Sequence, residues 1–318
     1  MMFGRDGWRA RAPRLLAALG AALLLAACGG GDQVDPFVPG RVIAFGDEAS
    51  VVEDDGDKFT VNFVSDTGVK DCVQNPAWVQ TVAGHYGLSF PECVGTGRPT
   101  GVIEAQPGAT VAGVTAQIDA FLQRESFRSD DLVTIHAGAH DIWALFDPAV
   151  APGTPAAAAL AAQARQIGAA LAAQVNRVAQ LGARVLIVTV PDQGLTPEGR
   201  ESAQPGTLRE ITGGGAVQGG FNAGLRTGII NDGRLIGLVL FDETVQSLAN
   251  NVNFNTTDRA CSDEVLALAG GVLNCTTATL RTNASTSSWL WADDRNFAPL
   301  GHSTLGSLAV NRAVNNPF

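Results

Sequence analysis

Short runs of apolar, mostly β-branched residues alternate with longer stretches of helical spacing along most of this chain. The first three runs end at a glycine or proline turn, as buried strands commonly do. The predicted strands are residues 41–45, 132–136, 185–190 and 235–241. The predicted helices are residues 76–88, 110–122, 156–181, 221–231 and 305–313. Strands that alternate with helices are typical of a mostly parallel sheet covered on both faces, so the sequence predicts an α/β fold.

The composition is that of a globular protein, since 46% of the 318 residues are hydrophobic and 16% are charged. This balance excludes a disordered tail, a collagen-like rod and a coiled coil. The formal net charge is −10 and no basic patch is visible, which argues against nucleic acid as a partner. No internal repeat or linker divides residues 41–318, and we expect them to form one domain of a monomeric protein.

The N-terminal segment has the pattern of a secretion signal. Four arginines precede an apolar stretch that is too short to span a bilayer. Its last residues, Leu25-Ala26-Ala27-Cys28, resemble the lipobox of bacterial lipoproteins, which implies a lipid anchor on Cys28 in the cell envelope. Gly30 in place of an aspartate implies the outer membrane. We expect a signal peptide over residues 1–27 and a flexible tether over residues 28–40; a plain cleaved signal is the alternative.

Four cysteines remain after this segment, and an even number in an exported chain favours disulfides. Of the three possible pairings we predict the two that are local in sequence, Cys72 with Cys93 and Cys261 with Cys275. A metal site is the competing interpretation, but none of the four lies in a CxxC pair.

Polar residues follow three of the predicted strands. Gly46-Asp47-Glu48 follows the first, Gly138-Ala139-His140-Asp141 the second, and Pro191-Asp192 the third. The carboxyl ends of parallel strands meet at one edge of a sheet, where functional groups of such folds gather. We therefore expect the functional cleft at this edge.

Five fragments, in this order, resemble the GDSL, or SGNH, family of lipases and acylhydrolases. They are Ala44-Phe45-Gly46-Asp47, Gly108-Ala109-Thr110, Gly138-Ala139-His140-Asp141-Ile142, residues 190–197 and Trp291-Ala292-Asp293-Asp294. The resemblance covers nearly all of residues 41–318 and implies a flavodoxin-like, three-layer α/β/α sandwich. It also implies ester hydrolysis by a serine, a histidine and an aspartate beside an oxyanion hole.

The chain departs from the family pattern at three positions. Glu48 stands where the family has its nucleophilic serine, His140 where it has an oxyanion-hole asparagine, and Asn296 where it has the catalytic histidine. Asp293 matches the triad acid, and Gly108 matches an oxyanion donor. An asparagine cannot accept and return a proton near neutral pH, and a carboxylate is a weak nucleophile, which argues against the ordinary serine mechanism.

Three substitutes for that mechanism remain open. Ser50 is either a nucleophile or a helix cap. Glu48 and His140 form either an acid–base pair or a plain salt bridge. The third substitute is a bound divalent cation, which no metal-spacing motif supports. Its candidate ligands are Asp47, Glu48, His140, Asp141 and Asp293. We expect no metal and no cofactor.

Two functions of different class follow. The first is an envelope ester hydrolase with altered catalytic residues Glu48, His140 and Asp293. The second is a catalytically inactive protein that keeps the cleft, lined by Gly108, Asp47 and Asn296, and binds its ligand without turnover. The expected partner is an acyl ester or an acylated glycan in either case, with the membrane as a second partner through the lipid anchor.

Three further expectations lie outside these motifs. His136, inside an apolar strand, is expected to be a hydrogen-bonded core residue. His302 matches the family's second histidine, which is not catalytic. Residues 249–288, rich in Asn, Thr, Ser and Gly, are predicted to form a long surface loop.

Overall fold

A parallel five-stranded sheet lies at the centre of the protein in the computed structural model, which describes residue 1, residues 36–213 and residues 219–315. Its strands are Arg41–Gly46 (β1), Val102–Ile103 (β2), Asp131–His136 (β3), Arg184–Val188 (β4) and Ile236–Val239 (β5). They lie in the order β2-β1-β3-β4-β5, and every pairing is parallel. Every residue of β1 and of β3 is buried, which explains why these strands are continuous apolar runs. The order is that of flavodoxin-like folds, so the predicted fold class is confirmed.

Helices cover both faces of the sheet. They are Trp78–His85 (α1), Val111–Arg124 (α2), Ala139–Leu145 (α3), Pro155–Gln180 (α4), Pro197–Glu201 (α5), Pro205–Thr212 (α6), Gly220–Gly228 (α7), Phe241–Ala249 (α8), Asp263–Leu266 (α9) and Pro299–Val314 (α10). Successive strand residues point to opposite faces, and the two faces have separate apolar cores. One core contains Ile43, Leu171 and Phe221, and the other contains Trp78 and Leu305.

The structure confirms the predicted strands and the five predicted helices to within a few residues at most boundaries. The last helix begins six residues earlier than predicted, at Pro299, a residue type that suits the first turn of a helix. Helices α3, α5, α6, α8 and α9 were not predicted from the sequence. Each is short, and its apolar positions face a neighbouring element that the sequence alone does not reveal.

The prediction of a surface loop over residues 249–288 is wrong for its central part. Strand Asn255–Arg259 (β6) pairs with Trp289–Trp291 (β7) in a second, two-stranded sheet. Ala260, Cys261 and Cys275 are completely buried and form a third apolar cluster. The segment contains so many Asn, Thr and Ser residues that its few buried apolar residues give no recognisable pattern in the sequence.

Both predicted disulfides are present, Cys72–Cys93 and Cys261–Cys275. They close loops of 21 and 14 residues in sequence separation. In the chain-entropy model each stabilises the fold by about 3 kcal/mol. The second disulfide holds the segment that carries the third apolar cluster.

Apart from residue 1, the predicted signal peptide lies outside the described residues, and so do the predicted acylation site Cys28 and most of the predicted tether. The last tether residues contact the domain, because Arg184 lies over the Phe37 ring at 4.0 Å and the Gly40 amide donates to Asp130. No helix in the described ranges is long and apolar enough to cross a membrane.

Helices α4 and α7 approach each other closely through glycines. A Cβ atom added to Gly168 would lie 2.0 Å from the main-chain oxygen of Phe221. A Cβ atom added to Gly224 would lie 1.9 Å from the main-chain oxygen of Arg165. Both clashes are with main chain, which cannot rotate away as a side chain can. The contact between these helices therefore requires glycine at both positions.

We predict that Gly168→Ala lowers the free energy of unfolding by about 2 kcal/mol or more, because the added methyl group forces the two helices apart. Urea denaturation measures the change. Gly84→Ala is the matched control, since an added Cβ there meets nothing within 4 Å, and its expected effect is neutral or a stabilisation of less than about 1 kcal/mol. Equal effects of the two substitutions would contradict the close helix contact.

Candidate functional site

The site is built on the carboxyl ends of β1 and β3, which pair through Gly46 and His136. Gly46 has φ of 134°, and an added Cβ would lie 2.0 Å from the His136 main-chain oxygen, so this position requires glycine. The Asp47 amide donates to the same oxygen at 3.0 Å. This close approach sets Asp47 and Glu48 against the residues that follow β3.

Asp47 and His136 form a buried pair. His136 Nδ1 donates to Asp47 Oδ1 at 2.9 Å, and the two residues are 3% and 2% exposed. Asp47 also accepts a hydrogen bond from the Ala49 amide and so caps the short 3-10 turn of Glu48–Ser50. Burial lowers the pKa of His136, but the charge and hydrogen bond of Asp47 outweigh it and raise the pKa above the ordinary 6.5. The expectation of a hydrogen-bonded core histidine is confirmed.

Glu48 and His140 form the second pair. His140 Nε2 lies 2.8 Å from both carboxylate oxygens of Glu48. The hydrogen bond from His140 and its charge lower the pKa of Glu48 below the ordinary 4.5, although burial opposes them. The hydrogen bond to Glu48 raises the pKa of His140 above the ordinary 6.5. The pair is therefore an ion pair near neutral pH.

The Gly108 amide donates to Glu48 Oε2 at 3.0 Å. Gly108 is the residue that the family resemblance assigns to the oxyanion hole, and His140 stands at the position of another donor of that hole. The Glu48 carboxylate accepts hydrogen bonds from both. Two groups that would stabilise an oxyanion are thus bound to a negative side chain of the protein itself.

Helix α3 positions His140. It begins after Gly138, whose φ of 124° and whose contact with the Phe221 ring leave no room for a side chain. Asp141, the next residue, accepts a hydrogen bond from the Val111 amide at 2.9 Å and so joins α3 to the start of α2. Burial raises the pKa of Asp141. The Asp141 carboxylate therefore holds the start of α2 against α3.

Asp293 and Asn296 form a separate turn at the rim of the site. Asp293 Oδ1 accepts hydrogen bonds from the Arg295 and Asn296 amides, and Oδ2 accepts one from Asn296 Nδ2 at 2.9 Å. These partners all belong to the turn of Asp293 itself and do not include Glu48 or His140. Asn296 lines the same pocket as Glu48 and His140, whereas Asp293 supports Asn296 from behind.

A small pocket joins these groups, with a volume of about 30 Å³. That space holds a water molecule or a carbonyl group but not an acyl chain.

Three further residues line this pocket that the sequence analysis did not identify, Trp143, Gln193 and Arg295. The Arg295 guanidinium lies 3.9 Å from the centre of the Trp143 ring and pairs with Glu198, while the Trp143 indole donates to Gln193 at 2.9 Å. Trp143 and Arg295 directly follow two of the five motif fragments and Gln193 lies inside a third, which was the available signal.

The alternative nucleophile Ser50 is completely buried, and its hydroxyl accepts a hydrogen bond from the Trp78 indole at 3.2 Å. It is therefore a core residue. His302 is also buried and accepts from the Trp78 amide at 3.3 Å, in agreement with its non-catalytic assignment. Among the residues that the structure describes, no three His, Cys, Asp or Glu side chains are grouped as metal ligands.

No protein-family model matches the sequence, and no curated protein matches it either. Solved structures are similar at low identity, and two of them are hydrolases or lipolytic-family members by their descriptions. A member of the lipolytic protein G-D-S-L family from Veillonella parvula has 10% identity and a TM-score of 0.39, over 86% of this chain and 96% of that chain. An alpha/beta hydrolase enzyme from the metagenome of Lake Arreo, Spain, has 14% identity and a TM-score of 0.40, over 89% of this chain and 98% of that chain. These scores do not identify an activity.

We predict that the stabilisation by the Glu48–His140 pair is greatest between pH 4.5 and 6.5, the ordinary pKa values of the two groups. Glu48, whose pKa is lowered on folding, loses its contribution as the pH falls through the folded value. His140, whose pKa is raised, loses its contribution as the pH rises through the folded value. The free-energy difference between wild type and His140→Asn, measured by urea denaturation across pH 4 to 9, should peak in this window.

His85→Asn is the control for this series, because His85 is an exposed histidine without an ion pair in the described part of the chain. It should change the free energy of unfolding little at any pH. A difference for His140→Asn that grows steadily towards pH 9 would contradict the assigned ion pair.

Proposed function

We propose that this protein is a lipid-anchored cell-envelope protein of the SGNH type that binds an acyl ester or an acylated glycan without serine hydrolysis. One observation carries the proposal: the Glu48 carboxylate accepts the Gly108 amide hydrogen bond at the position of an oxyanion donor. The motif resemblance supports the ligand class, and the lipobox-like segment ending at Cys28 supports the anchor and the outer-membrane location.

Electrostatics oppose an oxyanion beside Glu48. A second negative charge about 4 Å from the carboxylate is repelled by about 4 kcal/mol at an effective dielectric constant of 20. The His140 imidazolium offsets part of this repulsion, but His140 and the Gly108 amide are both bound to the carboxylate and so are not free to stabilise an oxyanion. A neutral carbonyl oxygen develops no such charge and can bind.

The site also lacks the base and the nucleophile that the serine mechanism requires. Asn296 takes the place of the base, and its amide donates to Asp293 instead of accepting a proton. The closest serine in sequence, Ser50, is buried against Trp78. A nucleophile and a base are both required for acyl transfer to the protein, and neither is present at the family positions.

Hydrolysis by the Glu48–His140 pair is the second candidate function, and one observation favours it. The His140 side chain keeps 27% of its surface exposed beside the pocket. In this reaction Glu48 would take a proton from water as the water oxygen attacks the acyl carbon, and His140 would protonate the leaving alkoxide. The pKa shifts weaken this candidate. A Glu48 carboxylate whose pKa is lowered below 4.5 is a weaker base than an ordinary glutamate, and a His140 imidazolium whose pKa is raised above 6.5 is a weaker acid than an ordinary histidine.

Assays with 4-nitrophenyl acetate separate the two functions. We expect the wild-type chain and Glu48→Gln to release 4-nitrophenol at the same rate as the buffer. Turnover by the wild type that falls about a hundredfold in Glu48→Gln would replace the first function by the second. Turnover that is unchanged in Glu48→Gln would contradict both, since Glu48 has a central role in each.

The double variant Glu48→Ser with Asn296→His tests the assignment of the two positions. Removal of the carboxylate frees the Gly108 amide, and the new histidine can be oriented by Asp293. We expect ester hydrolysis at least about a hundredfold above that of Glu48→Ser alone, which has the hydroxyl without the base. A folded but inactive double variant would contradict the assignment of positions 48 and 296.

A further inference from the structure

The second nitrogen of the His136 ring has no hydrogen-bond partner in the described part of the chain. Nδ1 donates to Asp47, but Nε2 is buried and unpaired. A buried polar atom without a partner costs about 1–3 kcal/mol, and more when the group is charged. An unpaired atom of this kind that also lines a pocket is a candidate hydrogen-bonding group for a molecule bound there.

His136 lines the small pocket at the edge of the sheet, together with Asp47, Glu48 and Asn296. The pocket's volume of about 30 Å³ admits one small polar group. The His136 ring meets the ring of Phe297 edge-on at 6.1 Å, so an aromatic side chain borders the imidazole. Phe297 lines the same pocket, so the pocket has an aromatic as well as a polar lining.

The neighbouring polar groups are already occupied. Both Glu48 oxygens face His140, the Gly108 amide donates to Glu48, and the Asn296 amide donates to Asp293. Among the groups of the site, His136 is thus the one with an unused buried hydrogen-bonding atom. Asp47 favours the protonated ring, in which Nε2 carries a hydrogen and is a donor.

Two carboxylates stand in the same wall, Asp47 and Glu48. Each is already paired with a histidine, so a neutral oxygen acceptor can approach His136 without displacing either carboxylate from its partner. An ester carbonyl is neutral, accepts a hydrogen bond and fits the available volume.

We propose that His136 Nε2–H donates a hydrogen bond to the carbonyl oxygen of the acyl group of the ligand, in place of the donors that Glu48 occupies. This inference rests on the proposed function and assigns the group that recognises the ester. Asp47 then acts as a positioning residue, because its hydrogen bond fixes the orientation of the imidazole and compensates its charge. The alkyl chain of the ligand extends from the pocket along the surface.

Nitrogen NMR of the wild-type full chain, labelled with ¹⁵N at the histidine and tryptophan rings, tests the contact directly. The chain has four histidines, so the imidazole signals are few, and the variants His85→Asn, His140→Asn and His136→Gln, each of which removes one set of signals, assign them by elimination. The probe is ethyl butyrate. The matched control is butyl ethyl ether, which has the same chain without the carbonyl oxygen. We expect the ester to shift the His136 Nε2 signal in a saturable manner and the ether to leave it unchanged.

The Trp143 indole, which donates to Gln193 in the pocket wall, reports whether the pocket is occupied. A shift of the Trp143 signal without a shift at His136 would overturn the inference and leave the proposed function standing. No shift of either signal with the ester would overturn both. Equal shifts at His136 with ester and ether would also overturn the inference, because the ether has no carbonyl oxygen.

A variant gives a second readout. His136→Gln should weaken ethyl butyrate binding about tenfold or more, the loss expected for a charge-assisted hydrogen bond. His85→Gln, an exposed change of the same type, should leave the affinity as it is. An unchanged affinity in His136→Gln would overturn the inference. If this variant unfolds because Asp47 loses its partner, the measurement on the wild-type chain decides.

Discussion

The close approach of the carboxyl ends of β1 and β3 is the constraint on which the site depends. Gly46 lies directly against the His136 main chain, and any side chain at Gly46 would separate the strands. Because these ends meet, the two acids that follow β1 face two histidines, one at the end of β3 and one in the helix after it. Two carboxylate–imidazole pairs therefore line the same small pocket, Asp47 with His136 and Glu48 with His140.

These two pairs differ in burial, and the difference separates their roles. Asp47 and His136 are almost completely buried, so each group depends on the other for its charge to be tolerated. Glu48 and His140 are closer to solvent, with side chains 16% and 27% exposed. The Glu48–His140 pair is partly screened by solvent, and its carboxylate occupies the hydrogen-bond donors of the cleft. The inner pair keeps an imidazole nitrogen unused, and it is there that the structure offers a binding group.

The sequence predicted the sheet well because its strands are buried on both faces and are therefore visible as continuous apolar runs. It did not predict α3, although this helix carries His140, because seven residues after Gly138 are too few to show a helical period. The apolar cluster around Cys261 was hidden by polar neighbours. His136 was correctly placed in the core, but a sequence cannot show that one ring nitrogen is paired and the other is not.

The turn of Asp293 and Asn296 keeps its shape without the ionisable ring of a catalytic histidine. Asp293 binds two main-chain amides of its turn and the Asn296 side chain, so the acid is held in place by hydrogen bonds that do not need a histidine. An asparagine satisfies the same contact while removing the ionisable ring. The scaffold therefore stays ordered whether or not position 296 can move a proton, and the absence of a base there changes the chemistry of the cleft without changing its shape.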